Sequence, residues 1–181
     1  MNNNINLIVA MCKNNGIGYK NELPWKISSD LKKFKKLTQG KGNNAVVMGK
    51  NTYESIKKSL PNRDNLILSR QFEIDKIHNE TKITKSFKNI DLLNDFIKLK
   101  NYDEIWIIGG SQIYELFLNN VNNNELKVNN IYITYINKEY NCDTFFPIID
   151  LNIYRFMYKE IHNNENKELE YNIFDILYSR K

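Results

Sequence analysis

Three short runs in this chain are apolar with almost no alternation: INLIVAM at 5–11, NAVVMG at 44–49 and EIWII at 104–108. A strand exposed on one face alternates apolar and polar residues, whereas a strand covered on both faces does not. Covered strands of this kind belong to a parallel sheet with helices packed on each side. The segments between them supply those helices. Helical spacing is expected from Ser28, as the cap, to about Thr38, then from Asn51 to about Lys58, Ile90 to Leu99 and Ser111 to Leu118. Further strands are expected at Asn65–Ser69, Ile131–Ile136, near Tyr154–Ile161 and Leu169–Tyr178, with a shorter one at Lys82–Thr84. The polar stretch from Asn119 to Asn129 reads as a surface loop. Strand and helix alternate through the first two-thirds, and strands dominate the rest. The expected fold is therefore α/β: one domain over residues 1–181, a mostly parallel central sheet flanked by helices, and antiparallel strands at its C-terminal edge. A chain of 181 residues can bury a core of that size.

The charge pattern narrows the function. The net charge is +5, but the basic residues are scattered. Their densest group, Lys32, Lys33, Lys35 and Lys36, alternates with Leu31, Phe34 and Leu37 as the solvated face of an amphipathic helix does. A mild positive field favours a small polyanionic ligand, and no nucleic acid is expected. Cys12, Cys142, His78 and His162 show no metal-ligand spacing, so no metal is expected. Two isolated cysteines form no disulfide framework, which fits a reducing compartment. No run approaches membrane-spanning length and no secretory leader is seen, so the chain is read as cytoplasmic, without a membrane partner.

Two strand-to-helix junctions suit phosphate: Gly49-Lys50-Asn51-Thr52 and Gly109-Gly110-Ser111-Gln112. Each brings free backbone N–H groups and close backbone approach to a helix start. Two such junctions suggest a dinucleotide, and no Walker A sequence is present. The loop from Cys12 to Lys26 is long enough to be functional. Asp30 shares a helix face with Phe34 and Leu37. It is either a first-turn acid favoured by the helix dipole or a partly buried carboxylate that grips a cationic or amidine-like group. Trp25 is either a loop anchor or a pocket wall. Arg63, in a turn after Pro61-Asn62, is either solvated or forked onto a carboxylate. Tyr114 and Thr134 read as core or sheet positions.

Taken together, LIVAM (7–11), NNGIGYKNELPW (14–25), SSDLKKF (28–34), VVMGKNTYESI (46–56), LPNRDNLILSR (60–70), IWIIGGSQIYE (105–115), IYITYI (131–136) and DTFFP (143–147) resemble dihydrofolate reductase in order and spacing, along almost the whole chain. The resemblance implies reduction of 7,8-dihydrofolate by NADPH, in the service of one-carbon metabolism, at a site that also takes antifolate inhibitors. It implies that Asp30 pairs with the pterin and that Thr134 supports it, with Trp25 and Leu23 completing the catalytic end. Ile8 and Ile108 would line the pterin, Ala10 would touch both ligands, and Val9 and Tyr114 would lie beside them. Leu31, Phe34, Ile56 and Leu60 would wrap the pteridine and aminobenzoyl parts, and Arg63 would hold the glutamate carboxylate.

The cofactor would meet Ile17, Gly18, Tyr19 and Asn21 on a flap spanning Gly16–Trp25. Its phosphates and adenine ribose would meet Gly49, Lys50, Asn51, Thr52, Leu68, Ser69 and Arg70. The second junction would add Ile108, Gly109, Gly110, Ser111, Gln112, Ile113 and Tyr114, with a cis Gly109–Gly110 peptide. The Lys50, Leu68-Ser69-Arg70 and DTFFP features resemble eukaryotic-type reductases, while aspartate at position 30 resembles bacterial and protozoan ones. Some protists fuse the reductase to thymidylate synthase, and such a linkage stays open here. Two rival readings are a related-fold reductase acting on a pyrimidine in riboflavin synthesis and a non-catalytic binding module. The Pro24-Trp25 loop and Asp30-Phe34 pair argue against the first. The complete set Asp30, Arg63, Thr134 and Gly109-Gly110 argues against the second.

Overall fold

The computed structural model describes residues 4–78, 81–119, 125–162 and 171–181. In chain order the elements are β1 (Ile5–Cys12), β2 (Gly16–Gly18), α1 (Ser28–Gln39), β3 (Asn44–Gly49), α2 (Lys50–Ile56), β4 (Asp64–Leu68), β5 (Asp75–His78) and β6 (Lys82–Phe87). They continue with α3 (Ile90–Lys100), β7 (Glu104–Ile107), α4 (Ser111–Leu118), β8 (Val128–Ile136), β9 (Thr144–Phe145), β10 (Tyr154–Ile161) and β11 (Ile173–Arg180). Nine strands form one sheet in the order β10-β11-β8-β1-β7-β3-β4-β6-β5. The strands from β8 across to β6 are all parallel. β10 and β11 add antiparallel pairs at one edge, as expected.

The period of two along each central strand sends its side chains to two different cores. Ile5, Leu7, Val47, Leu66 and Ile107 meet Leu93 and Ile97 of α3 and Ile113 and Phe117 of α4. Ile8, Val46, Met48, Ile67 and Ile108 meet Phe34 and Leu37 of α1 and Tyr53 and Ile56 of α2. The helices are thus divided between the two faces. Such a sheet leaves a crevice beyond the C-terminal ends of its parallel strands, where open α/β sheets bind ligands. None of the described helices is long and apolar enough to cross a membrane.

The structure departs from the sequence expectations in several places. Ser28 is the first helical residue of α1, not its cap. The preceding Ile27 is extended (φ −123°), and no side chain caps the helix. Ile27 is buried beside Trp25, Cys12 and Ile136, and that burial fixes where the helix can begin. β5 adds an antiparallel strand at the far edge of the sheet as well. Its sequence, DKIH, is mostly exposed and carries no apolar signal. β6 runs on to Phe87, and β8 begins at a wholly buried Val128, inside the segment read as a loop. Part of that loop, and Leu169 at the start of the last expected strand, lie outside the described residues.

Candidate active site

A cleft of 1360 Å³ opens beyond the C-terminal ends of β1, β3, β4 and β7. Its floor at one end is Ile8, Val9, Ala10 and Ile108, from the two strands at the centre of the sheet. Asp30 stands over that end from the first turn of α1. The neighbouring wall carries Leu31, Phe34, Ile56 and Leu60.

Asp30 is half-buried, and burial pushes its carboxyl above the ordinary range. The Thr134 hydroxyl donates to it and opposes that shift, as do the His162 and Lys33 charges, while Asp175 adds to it. Thr134 lies beside Ala10 on β1 and opposite Asp175 on β11. Lys33, one helical turn beyond Asp30, meets Asp175 at 2.5 Å, and His162 Nδ1 lies 2.8 Å from the same carboxylate oxygen. A desolvated carboxylate with one hydroxyl partner is suited to a cationic or amidine-like group. Asp30 keeps its place in the first turn of α1, and its burial at the cleft with the Thr134 bond adds what the pocket reading requires.

Arg63 is 1% exposed, so the solvated reading is wrong. It precedes β4, donates from Nε to the Pro61 carbonyl at 2.9 Å and from Nη1 to the Thr38 hydroxyl, and lines the cleft. Burial holds its guanidinium pKa below the usual value.

The far end of the cleft carries the two glycine junctions. Gly49 precedes α2 and Gly110 precedes α4, and neither helix start has a side-chain cap. The Gly109–Gly110 peptide is cis, as the resemblance implied, and Gly49 N–H donates to the Gly109 carbonyl at 2.8 Å. A Cβ on Gly49 would lie 3.2 Å from Ile113, and one on Gly110 would lie 3.6 Å from the Thr52 hydroxyl. Gly49 therefore has little room for a side chain, whereas one at Gly110 would make ordinary contact. Lys50, Asn51, Thr52, Leu68, Ser69, Arg70, Ser111, Gln112, Ile113 and Tyr114 line this end. Lys50 pairs with Glu54 at 3.6 Å and Arg70 is exposed. Tyr114 donates to the Ile8 carbonyl at 2.9 Å. Burial, with the Asp30 charge, raises its phenol pKa.

Ile17 of β2 and Asn21, Glu22 and Leu23 of the loop between β2 and α1 flank the cleft. Tyr19 and Glu22 exchange two backbone hydrogen bonds across Lys20 and Asn21, both at positive φ. That is the geometry of a tight hairpin turn whose twist suits its strands. Asp143 anchors the turn: its carboxylate accepts from Lys20 N–H at 2.8 Å, and its own N–H donates to the Gly18 carbonyl at 3.1 Å. The Lys20 N–H holds the Asp143 carboxyl below the usual range.

Five expected residues do not line the cleft: Gly18, Tyr19, Trp25, Gly109 and Thr134. Trp25 is the loop anchor of its two readings. It is 5% exposed, packs edge-on to Tyr140, and its indole N–H has no partner among the described residues. Thr134 acts behind Asp30, and Gly109 sits under Tyr114. The sequence reading missed Glu22, Lys35, Ser55, Pro61, Gln71, Lys88, Asn89, Ile90, Leu116 and Thr144, all of which line the cleft. Lys35 was recoverable, because Leu31 and Lys35 are one helical turn apart. Lys88, paired with Glu73 at 3.0 Å, carries no local signal of its own.

A family profile described as dihydrofolate reductase matches residues 4–180. A dihydrofolate reductase of Drosophila melanogaster is 37% identical over 155 residues, covering 80% of this chain and 79% of that protein. One from Buchnera aphidicola (subspecies Baizongia pistaciae) is 37% identical over 182 residues, covering 96% of this chain and 97% of the other. Among solved structures, a dihydrofolate reductase from Enterococcus faecalis, described as complexed with NADP(H) and RAB-propyl, superposes with a TM-score of 0.74. It is 24% identical and covers 98% of this chain and 96% of its own.

Proposed function

The chain belongs to the dihydrofolate reductase family and is an oxidoreductase of that kind, and on that premise we propose that it reduces 7,8-dihydrofolate to tetrahydrofolate with NADPH. One observation carries the reading. A single cleft holds a desolvated carboxylate, Asp30, at one end and an anion cradle with Lys50 and Arg70 at the other.

NADPH would supply the hydride, which goes to C6 of the pterin, while N5 takes a proton. The residues fit that ligand: the helix starts after Gly49 and Gly110 line the cleft without side-chain caps, a Cβ on Gly49 would crowd Ile113, and the half-buried Lys50 and exposed Arg70 suit a phosphate. Ile8, Ala10 and Ile108 form an apolar floor on which the pterin would lie next to the cofactor ring. Holding two reactants in contact removes much of the entropic barrier. Asp30, oriented by Thr134, pairs with the pterin and raises the basicity of N5. A water entering beside the Gly16–Trp25 loop then delivers the proton. Leu23, on that loop, limits how much solvent reaches the site. Arg63, at the other side of the wall, fits the glutamate carboxylate, and a cationic antifolate would compete for Asp30. The unbroken sheet supports one reductase domain over the chain, and two free thiols fit a cytoplasmic enzyme.

The test is the near-ultraviolet absorbance of reduced nicotinamide in a mixture of protein, NADPH and dihydrofolate. A fall that depends on both substrates supports the reading. A flat trace at high protein concentration refutes it and favours a binding module.

A further inference from the structure

Cys12 and Cys142 are separated by 130 residues of chain, yet their sulfurs lie 3.8 Å apart. Cys12 ends β1 and is wholly buried. Cys142 sits in the loop before β9 and is partly exposed. The missing side chain at Gly16 leaves room for the two sulfurs. A Cβ there would fall 2.3 Å from the Cys142 sulfur and 3.0 Å from that of Cys12, so any side chain at this position would push the two apart. The Cys12 thiol also donates a hydrogen bond to the Asn14 side-chain oxygen at 2.7 Å. Among the described residues no third His, Cys, Asp or Glu joins the pair to make a metal set.

We propose that Cys12 and Cys142 are an oxidisable dithiol that a small-molecule disulfide converts to an internal disulfide. The Cys142 sulfur, the more accessible of the two, loses its proton to solvent and attacks the small disulfide. Its S–S bond breaks, one thiol leaves, and a mixed disulfide forms on Cys142. The Cys12 thiol then loses its proton, attacks the Cys142 sulfur and expels the second small thiol. The protein loses two hydrogens, and the oxidant is reduced to two thiols. The sulfurs need only close to about 2.05 Å, a movement within reach of a loop shift. Burial and the neighbouring thiol push the Cys142 thiol up to about 11, so the reaction accelerates as pH rises.

The pair is placed to affect the flap. Asp143, next in sequence to Cys142, is the residue that anchors the Lys20 turn. Drawing Cys142 toward β1 ties that anchor to the central strand. Formation of the bond does not depend on the proposed reaction; only the turnover measurement does.

The experiment treats the whole protein with glutathione disulfide at mildly alkaline pH, quenches by alkylation and measures intact mass and linked peptides. The expected product is lighter by two hydrogens, links the Cys12 and Cys142 peptides, and reverts with dithiothreitol. A persistent glutathione adduct, or two thiols still alkylated after excess oxidant, overturns the proposal. Cys142→Ser, and independently Cys12→Ser, should give no such product. A two-hydrogen loss in either variant also overturns it. The linked protein should turn over several-fold more slowly and recover on reduction, and unchanged turnover overturns the coupling to the flap.

Discussion

Arg63 donates from Nη1 to the Thr38 hydroxyl, joining the entrance of β4 to the last turn of α1. The same hydroxyl donates to the Phe34 carbonyl at 2.8 Å, so a buried relay connects the guanidinium to the helix that carries Asp30. Lysine cannot make two directed bonds from one planar group. Arg63→Lys should therefore raise KM for dihydrofolate and also lower stability by about 1–3 kcal/mol, since Thr38 and Pro61 both lose a donor. Steady-state kinetics and thermal melting check both effects. A pterin without the glutamate tail should keep its KM. If the tailless substrate weakens equally, Arg63 is purely structural.

Asp30→Asn should fold, bind NADPH and lose on the order of 100-fold or more in turnover at neutral pH, as loss of a well-placed electrostatic group does. The defect should shrink in acid, where solvent protonates more of the pterin unaided. Stability should move in the opposite direction. Burial raises the Asp30 pKa, so in the window above the ordinary carboxylate value the folded state holds a proton that the unfolded state has lost. Stability from this group is full below that window and falls as pH rises through it. Asparagine carries no such dependence, and the variant should melt at least as high as the parent at neutral pH. A lower melting point with normal turnover would return Asp30 to the helix-dipole role.

Replacing Lys50 and Arg70 together by alanine should weaken NADPH by about 2–4 kcal/mol while barely affecting NADH. Binding titrations with both cofactors decide it. Equal losses would mean that these cations do not meet the 2′-phosphate.

Gly109→Ala should destabilise the protein and weaken cofactor binding together. Gly109 has φ +106°, and a Cβ there would lie 2.9 Å from the Tyr114 ring. The ring cannot give way without stretching the Tyr114–Ile8 hydrogen bond. Strain of this kind costs about 1–3 kcal/mol. Thermal melting with and without NADPH should show a lower midpoint in both. An unchanged midpoint would show that the tyrosine moves freely.

The sequence by itself determined the strand–helix alternation, the parallel centre of the sheet and the two glycine junctions. Those features are written in local periods and in residues with restricted or unusual backbone freedom, which a window of ten residues contains. Most of the cleft wall was legible only through the resemblance of motifs spread along the whole chain. Asp30, Arg63 and Trp25 were each legible only as a pair of readings. The choice between them rested on burial and on partners distant in sequence: Thr134 for Asp30, Thr38 for Arg63, and Tyr140 for Trp25. The same holds for the antiparallel β5 edge, for Lys88 at the cleft and for the Cys12–Cys142 contact. Desolvation and cross-chain contact depend on what folds on top of a residue, and no local period records that.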